Sequence, residues 1–199
     1  MPALLFDLYG VLLRVQDPEH LARIEEASGH SGEAFWSAYW DCRPDYDAGL
    51  VSTHGYWSRV ADRLDAPIRD VADAHEQDMA SWLAGDPDMI EYVTGLADAG
   101  ARTALLSNIP VPLAERVLVA HPWLHRLDPL LLSGRIGLAK PDPRLFEHAL
   151  AALALPAGEV LFVDDRDENV AAAESVGMAG HVFTGIDGLR PVVEAHLGR

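Results

Sequence analysis

Short apolar runs alternate with amphipathic stretches along most of this chain, and the two kinds of segment predict two kinds of element. Residues 3–8 are almost continuously apolar and stop at Tyr9-Gly10, as expected of a parallel strand buried on both faces. Asp17-Pro18 then makes a cap and first-turn pair for a helix with Leu21, Ile24 and Ala27 at helical spacing. Ser31 opens a second helical stretch carrying Phe35, Trp36, Tyr39 and Trp40. Residues 42–50, which contain Pro44 and Gly49, read as a connection, and further helical patterns cover 52–64 and 67–83. From about residue 15 to 85 no strand pattern interrupts the helices.

Beyond Gly85 the pattern changes. A helix over 86–99 stops at Gly100, and strands at 103–106, 130–132, 160–163 and 180–183 alternate with helices at 112–120, 143–153 and 168–176. A last helix covers 186–197. Strands and helices in alternation predict a parallel sheet with right-handed crossovers. The expected fold is α/β: a doubly wound, Rossmann-like core of residues 1–14 and 86–199, with a small all-helical cap, residues 15–85, inserted after the first strand.

Composition narrows the function. Of 199 residues 49% are apolar, and 31 acidic residues against 15 basic ones give a net charge of −16, which argues against nucleic acid as a partner. No run approaches the ~18 apolar residues of a membrane span, so no membrane partner is expected. The start, MPALLFD, lacks a basic region, and the lone Cys42 suits a reducing compartment; both point to a cytoplasmic protein. A small anionic molecule remains open as substrate.

Four polar clusters fall just past predicted strand ends: Asp7-Leu8-Tyr9-Gly10, Ser107-Asn108, Lys140-Pro141-Asp142-Pro143, and Asp164-Asp165 with Asn169 behind them. Each alone has a plain reading as a turn or helix cap. Together, in an open parallel sheet, they meet in the crevice outside the carboxyl ends of the strands. Clustered carboxylates need a cation to persist, and Asp7, Asp164 and Asp165 make an oxygen-rich site for a hard ion such as magnesium. A receiver domain also unites an acidic pair, an Asp and a Lys, but its acidic pair comes early and its lysine last. Here Lys140 precedes the pair.

These residues resemble the four motifs of the haloacid dehalogenase-like hydrolases, and the resemblance covers nearly the whole chain. Phe6-Asp7-Leu8-Tyr9-Gly10-Val11-Leu12 is similar to the first motif, Leu105-Leu106-Ser107-Asn108 to the second and Lys140-Pro141-Asp142-Pro143 to the third. Phe162-Val163-Asp164-Asp165, with Asn169 and Gly177-Met178, is similar to the fourth. The helical insert resembles the small cap of the family's first subclass. Asp164-Asp165 with Asn169, and Arg43-x-x-Tyr46-x-x-Gly49, look most like its phosphatase branches, which include sugar-phosphate phosphatases and the phosphatase domain of soluble epoxide hydrolase.

The resemblance implies Asp7 as nucleophile, with Lys140 screening charge and holding it ionised. It implies hydrogen bonds to the transferring group from Ser107 and the amide of Asn108. Magnesium would be held by Asp7, Asp165 and the backbone carbonyl of Tyr9, with Asp164 and Asn169 orienting that shell. Tyr9 departs from the phosphatase pattern, which has a second Asp there as general acid and base; a phenol, with a pKa near ~10, donates a proton but is a poor base. An Asp-x-Tyr first motif also resembles the L-2-haloacid dehalogenases, whose fourth motif typically carries Ser-Ser-Asn instead of Val163-Asp164-Asp165. The leading expectation is a magnesium-dependent phosphatase or phosphotransferase of reduced or unusual activity. The alternatives are a dehalogenase-type hydrolase and a weakly catalytic binding protein.

The aromatics of the insert, namely Phe35, Trp36, Tyr39, Trp40, Tyr46, Tyr56 and Trp57, are read mainly as core between its helices, with a substrate-facing apolar lid as the alternative. Arg14 and Arg43 are read as surface residues, with reach toward an anionic substrate as the alternative, and the nine histidines receive no role.

Overall fold

The computed structural model describes residues 1–198. Its first strand, β1 (Ala3–Phe6), is two residues shorter than the apolar run that predicts it. The Asp7 amide still donates to the Val163 carbonyl at 2.8 Å, but the chain then folds back so that the Leu12 and Leu13 amides both reach the Leu8 carbonyl. Gly10 permits the turn with φ +81°.

Four helices follow: α1 (Pro18–Ser28), α2 (Gly32–Asp47), α3 (Thr53–Leu64) and α4 (Val71–Ser81). Asp17 caps α1 by accepting from the His20 amide, as its sequence position predicts. The connection expected at 42–50 is largely helix, because α2 runs through Pro44 to Asp47. Pro44 costs α2 one backbone bond. That loss is outweighed by a face on which Tyr39, Cys42, Arg43 and Tyr46 are all buried. The α4 helix starts four residues later than the pattern suggests, at an Asp70 cap. Phe35, Tyr39, Tyr46, Tyr56 and Trp57 form a hydrophobic cluster of their own with Ile24 and Val60, so most of the insert's aromatics are core.

The remainder alternates as expected: α5 (Pro87–Asp98), β2 (Arg102–Ser107), α6 (Val111–Ala120), β3 (Leu130–Leu132), a short α7 (Ser133–Ile136), α8 (Pro143–Leu153), β4 (Val160–Asp164), α9 (Asp167–Ser175), β5 (Ala179–Val182) and α10 (Ile186–Leu197). The five strands form one sheet in the order β3-β2-β1-β4-β5, every pair parallel. Leu4 and Phe6 of β1 pack into one core cluster, Ala3 and Leu5 into another, so both faces are covered. The chain winds outward from β1 to β3 and then restarts on the other side with β4. The order therefore reverses beside β1, and a crevice opens at its carboxyl end.

Besides the two-bond ion pair of Arg116 on α6 with Glu76 on α4, at 2.7 and 2.8 Å, two joints tie the helical lobe to the sheet. Its entering and leaving segments pair antiparallel, with Arg14 N donating to Ala84 O at 2.8 Å and Asp86 N to Leu12 O at 3.1 Å. At the far end Ser133 Oγ accepts from the Ile109 amide and donates to the Asp47 carbonyl at 2.5 Å. There Gly49, with φ +71°, lies so near Gly134 that a Cβ would stand 2.3 Å from its carbonyl oxygen. Trp82 and Met79, at the end of the lobe, pack into the sheet's own core. Among the described residues no helix is long and apolar enough to cross a membrane.

Candidate active site

All the sequence-predicted site residues stand at the carboxyl ends of β1, β2 and β4 or on the loops and helix beside them. At the end of β1 Asp7 is buried, and its Oδ1 lies 2.6 Å from Lys140 Nζ. The same ammonium donates to Asp164 Oδ2 at 2.6 Å. Asp164 is fully enclosed: Asn169 Nδ2 donates to both of its oxygens at 2.9 and 3.1 Å, and the Arg166 amide to Oδ1 at 2.9 Å. Asp165, its neighbour, is exposed and faces the crevice. One carboxylate oxygen from each of Asp7, Asp164 and Asp165 falls within 4.8 Å of the others. A Cβ on Gly10 would meet Asp165 Oδ2 at 2.4 Å, so a side chain there would displace the Asp165 carboxylate from its place in the crevice.

Electrostatics follow from this crowding. Burial pushes the Asp7 carboxyl up to about 7, with the Asp164 charge adding to it and Lys140 opposing. Burial pulls the Lys140 ammonium down, but the two carboxylates more than offset this and it ends above its ordinary value. Asp165 is raised by burial and by the charge of Asp164. Three carboxylates share one ammonium, and Asn169 Oδ1 is buried without a partner among the described residues. The donor set is oxygen throughout, which suits a hard divalent cation.

Asn108 holds the lysine in place. Its side-chain amide donates to the Lys140 carbonyl at 2.9 Å and its carbonyl accepts from the Lys140 amide at 2.8 Å, so its side chain is committed to the backbone. Ser107 Oγ is buried beside it and has no partner among the described residues. Tyr9 is half-buried overall, its hydroxyl is enclosed without a partner, and its ring meets Trp82 with centroids 4.7 Å apart. Burial pushes its phenol well above the ordinary value, so at neutral pH it stays protonated.

Of the crevice's other walls, the sequence singled out only Trp40. Val15, Trp40, Asp47, Trp82 and Arg166 line it together with the motif residues, enclosing about 210 Å³. Asp47 is clamped by Arg43, whose Nε donates to it at 2.7 Å. Arg43 departs from its reading as a surface residue: it is buried, with Nη1 on Tyr39 Oη at 2.7 Å and on Asp78 at 3.1 Å. The spacing of Arg43 and Asp47 is that of a helical ion pair. It is legible only if the helix is carried past Pro44. Arg14 is exposed, 3.9 Å from Asp86.

Comparison with known proteins matches residues 1–177 to the model of the haloacid dehalogenase-like hydrolase family. A sesquiterpene phosphatase of Aspergillus oryzae is 27% identical over 178 residues, which span 89% of this chain and 87% of that protein. An (S)-2-haloacid dehalogenase of Burkholderia cepacia is 27% identical over 185 residues, 88% of this chain and 79% of its own. Among solved structures, a haloacid dehalogenase family enzyme of Bacteroides thetaiotaomicron, crystallised with magnesium and inorganic phosphate, superposes with a TM-score of 0.76 at 18% identity, covering 100% of both chains.

Proposed function

Since the chain belongs to the haloacid dehalogenase-like hydrolases, we propose that it is a magnesium-dependent phosphatase or phosphotransferase acting on a small phosphorylated metabolite with Asp7 as nucleophile. The observation that carries this reading is the convergence of Asp7, Asp164 and Asp165 on one lysine, with an oxygen of each within 4.8 Å. Such a site takes a cation and a phosphate ester together. Asp7, Asp165 and the Tyr9 backbone carbonyl would hold magnesium, whose charge, once bound, screens the phosphoryl oxygens from the attacking carboxylate. Asp164, tied to Lys140 and Asn169, keeps the lysine aimed.

The chain's own residues perform the rest. An Asp7 carboxylate oxygen attacks phosphorus, the bond from phosphorus to the ester oxygen breaks, and that oxygen departs with the electron pair, taking a proton from water unless it leaves as an activated aryl oxide. The unpartnered Ser107 Oγ and the Asn108 amide donate hydrogen bonds to the transferring group. Hydrolysis of the aspartyl phosphate then needs a base for water. Tyr9, kept protonated by burial, does not supply one, so turnover is reduced. The helical lobe over residues 15–85 acts as a cap that shuts water out of the crevice.

Tyr9 favours a second reading, a 2-haloacid dehalogenase, because halide leaves as an anion and needs no proton. A turnover screen of phosphate esters and 2-haloacids, with and without magnesium, separates the two. Phosphate release that requires magnesium supports the phosphatase, and halide release without metal supports the dehalogenase. Binding of these anions with no turnover of either class makes the protein a binding module on the same crevice.

A further inference from the structure

Beside the polar crevice lies a second chamber of about 350 Å³, lined by Val15, Gln16, Leu21, Trp36, Trp40 and Trp82. The two spaces share Val15, Trp40 and Trp82 as common walls. Three of the N–H donors of its lining are turned into the protein. Trp36 Nε1 donates to Glu25 at 2.8 Å, Trp82 Nε1 to Asp78 at 3.0 Å, and the Gln16 amide nitrogen to Ser81 Oγ at 2.7 Å. What remains facing the chamber is mostly ring and aliphatic surface. Trp40 and Val15, at the junction, are 46% and 56% exposed, among the few large apolar side chains left in solvent. Trp40 is not left there by poor packing: its ring stands edge-on to Trp82, with centroids 6.2 Å apart and planes at 86°.

Resting on the phosphatase reading above, we infer that this chamber receives the hydrocarbon body of the substrate, so that the protein prefers phosphate monoesters of apolar alcohols to those of sugars or other polyols. The crevice takes the charged end and the chamber takes the chain or ring. At roughly 30 Å³ for a water-sized group, 350 Å³ accommodates about a dozen heavy atoms. A polyol in the chamber would lose its hydration and find few partners there, which disfavours it.

The test is a series of n-alkyl phosphates from ethyl to dodecyl, with glycerol phosphate as polar control, assayed for phosphate release in magnesium. The matching alkylphosphonates are titrated by calorimetry in parallel, a readout that needs no turnover. A buried methylene contributes about 0.8 kcal/mol, so affinity and kcat/KM rise about fourfold per methylene until the chamber is full, near ten carbons. Leu21→Trp, which fills the chamber, lowers the ratio of decyl to ethyl phosphate turnover, and Trp36→Ala moves the optimum to longer chains. Phosphate release that is indifferent to chain length, or greatest for glycerol phosphate, overturns the inference and leaves the phosphatase reading intact. Phosphonate affinity that climbs with chain length, without turnover of any ester, supports the chamber and overturns the phosphatase reading. Flat phosphonate binding without turnover overturns both.

Discussion

The side chain of Asn108 clasps the backbone of Lys140 from both ends, accepting from its amide at 2.8 Å and donating to its carbonyl at 2.9 Å. The loop after β2 thereby positions a lysine 32 residues away in sequence. Asn108→Ala removes both bonds and leaves two part-buried backbone groups unpaired, at a cost of about 2 kcal/mol in denaturant unfolding. A misplaced ammonium lowers turnover as well, by up to about a hundredfold. Unchanged stability would mean that the clasp does not persist in solution.

Lys140 is the one ammonium between two buried carboxylates. Lys140→Met leaves Asp7 and Asp164 uncompensated, and loss of one partner of a buried ion pair costs about 3–5 kcal/mol. The carboxyl of Asp7, already held up by burial, rises further once the opposing lysine is gone. The destabilisation relative to the parent therefore shrinks as pH falls and Asp7 takes up a proton. Urea unfolding of both proteins at pH 5 and pH 8 measures it, and a pH-independent difference counts against the charge argument.

Protons and a divalent cation compete for the same oxygens. Burial holds Asp7 up near about 7 and also raises Asp165. Magnesium affinity should climb as pH rises through about 7, with proton release on binding. Calorimetry in two buffers of different ionisation enthalpy detects that release. Asp165→Asn should weaken binding more than Asp164→Asn, since Asp164 is turned to Lys140, Asn169 and the Arg166 amide. For Asp164→Asn the larger effect is on stability.

The polar ends of the strands were legible because each interrupts an apolar run, and chain order then brings them to one crevice. Asp7, Lys140, Asp164 and Asn169 meet as their spacing implies. Pro44 hid the end of α2, because a proline normally marks a break, and with it went Arg43 and Asp47 as a helical pair. The burial of Arg43 by Asp78, which lies 35 residues on, is a tertiary fact with no local signature. Which aromatics are core and which are wall depends on how the lobe is seated. Tyr39 and Tyr56 have no exposure, whereas Trp40, on the same helix as Tyr39, opens to the crevice.

If the lobe moves as a cap, its hinge is the paired segment where Arg14 N meets Ala84 O and Asp86 N meets Leu12 O. Opening must also break the bond from Ser133 Oγ to the Asp47 carbonyl. Hydrogen exchange should find amides 14 and 86 much less protected than those of β1 and β4. Ser133→Ala should raise exchange around residues 47–50 further, since it releases the far joint. Protection at the hinge equal to that of the central strands would sink the idea of a moving cap.

Tyr9→Asp should increase phosphatase turnover, whereas Asp7→Asn should abolish it. With Tyr9 in place, Asp7 can still displace a good leaving group, since an activated aryl oxide departs without a proton. The aspartyl phosphate then waits for water with no carboxylate two residues after the nucleophile to activate it, because burial keeps the Tyr9 phenol protonated. An early burst followed by slow steady release is the expected trace. A carboxylate at position 9 shortens the slow phase and speeds alkyl esters as well, by at least about tenfold, since general acid–base assistance is worth ~10²–10⁴. The substitution has a structural cost. Tyr9 packs on Trp82 at 4.7 Å, and removing a ring of that size destabilises by about 3 kcal/mol, so rates should be compared well below the melting transition. Asp47 lies in the same crevice, and its burial raises its carboxyl even against the pull of Arg43. Tyr9→Asn, which matches the new side chain in size without its basicity, separates relief of crowding from base catalysis. Equal gains in Tyr9→Asn and Tyr9→Asp would remove base catalysis as the explanation for the gain.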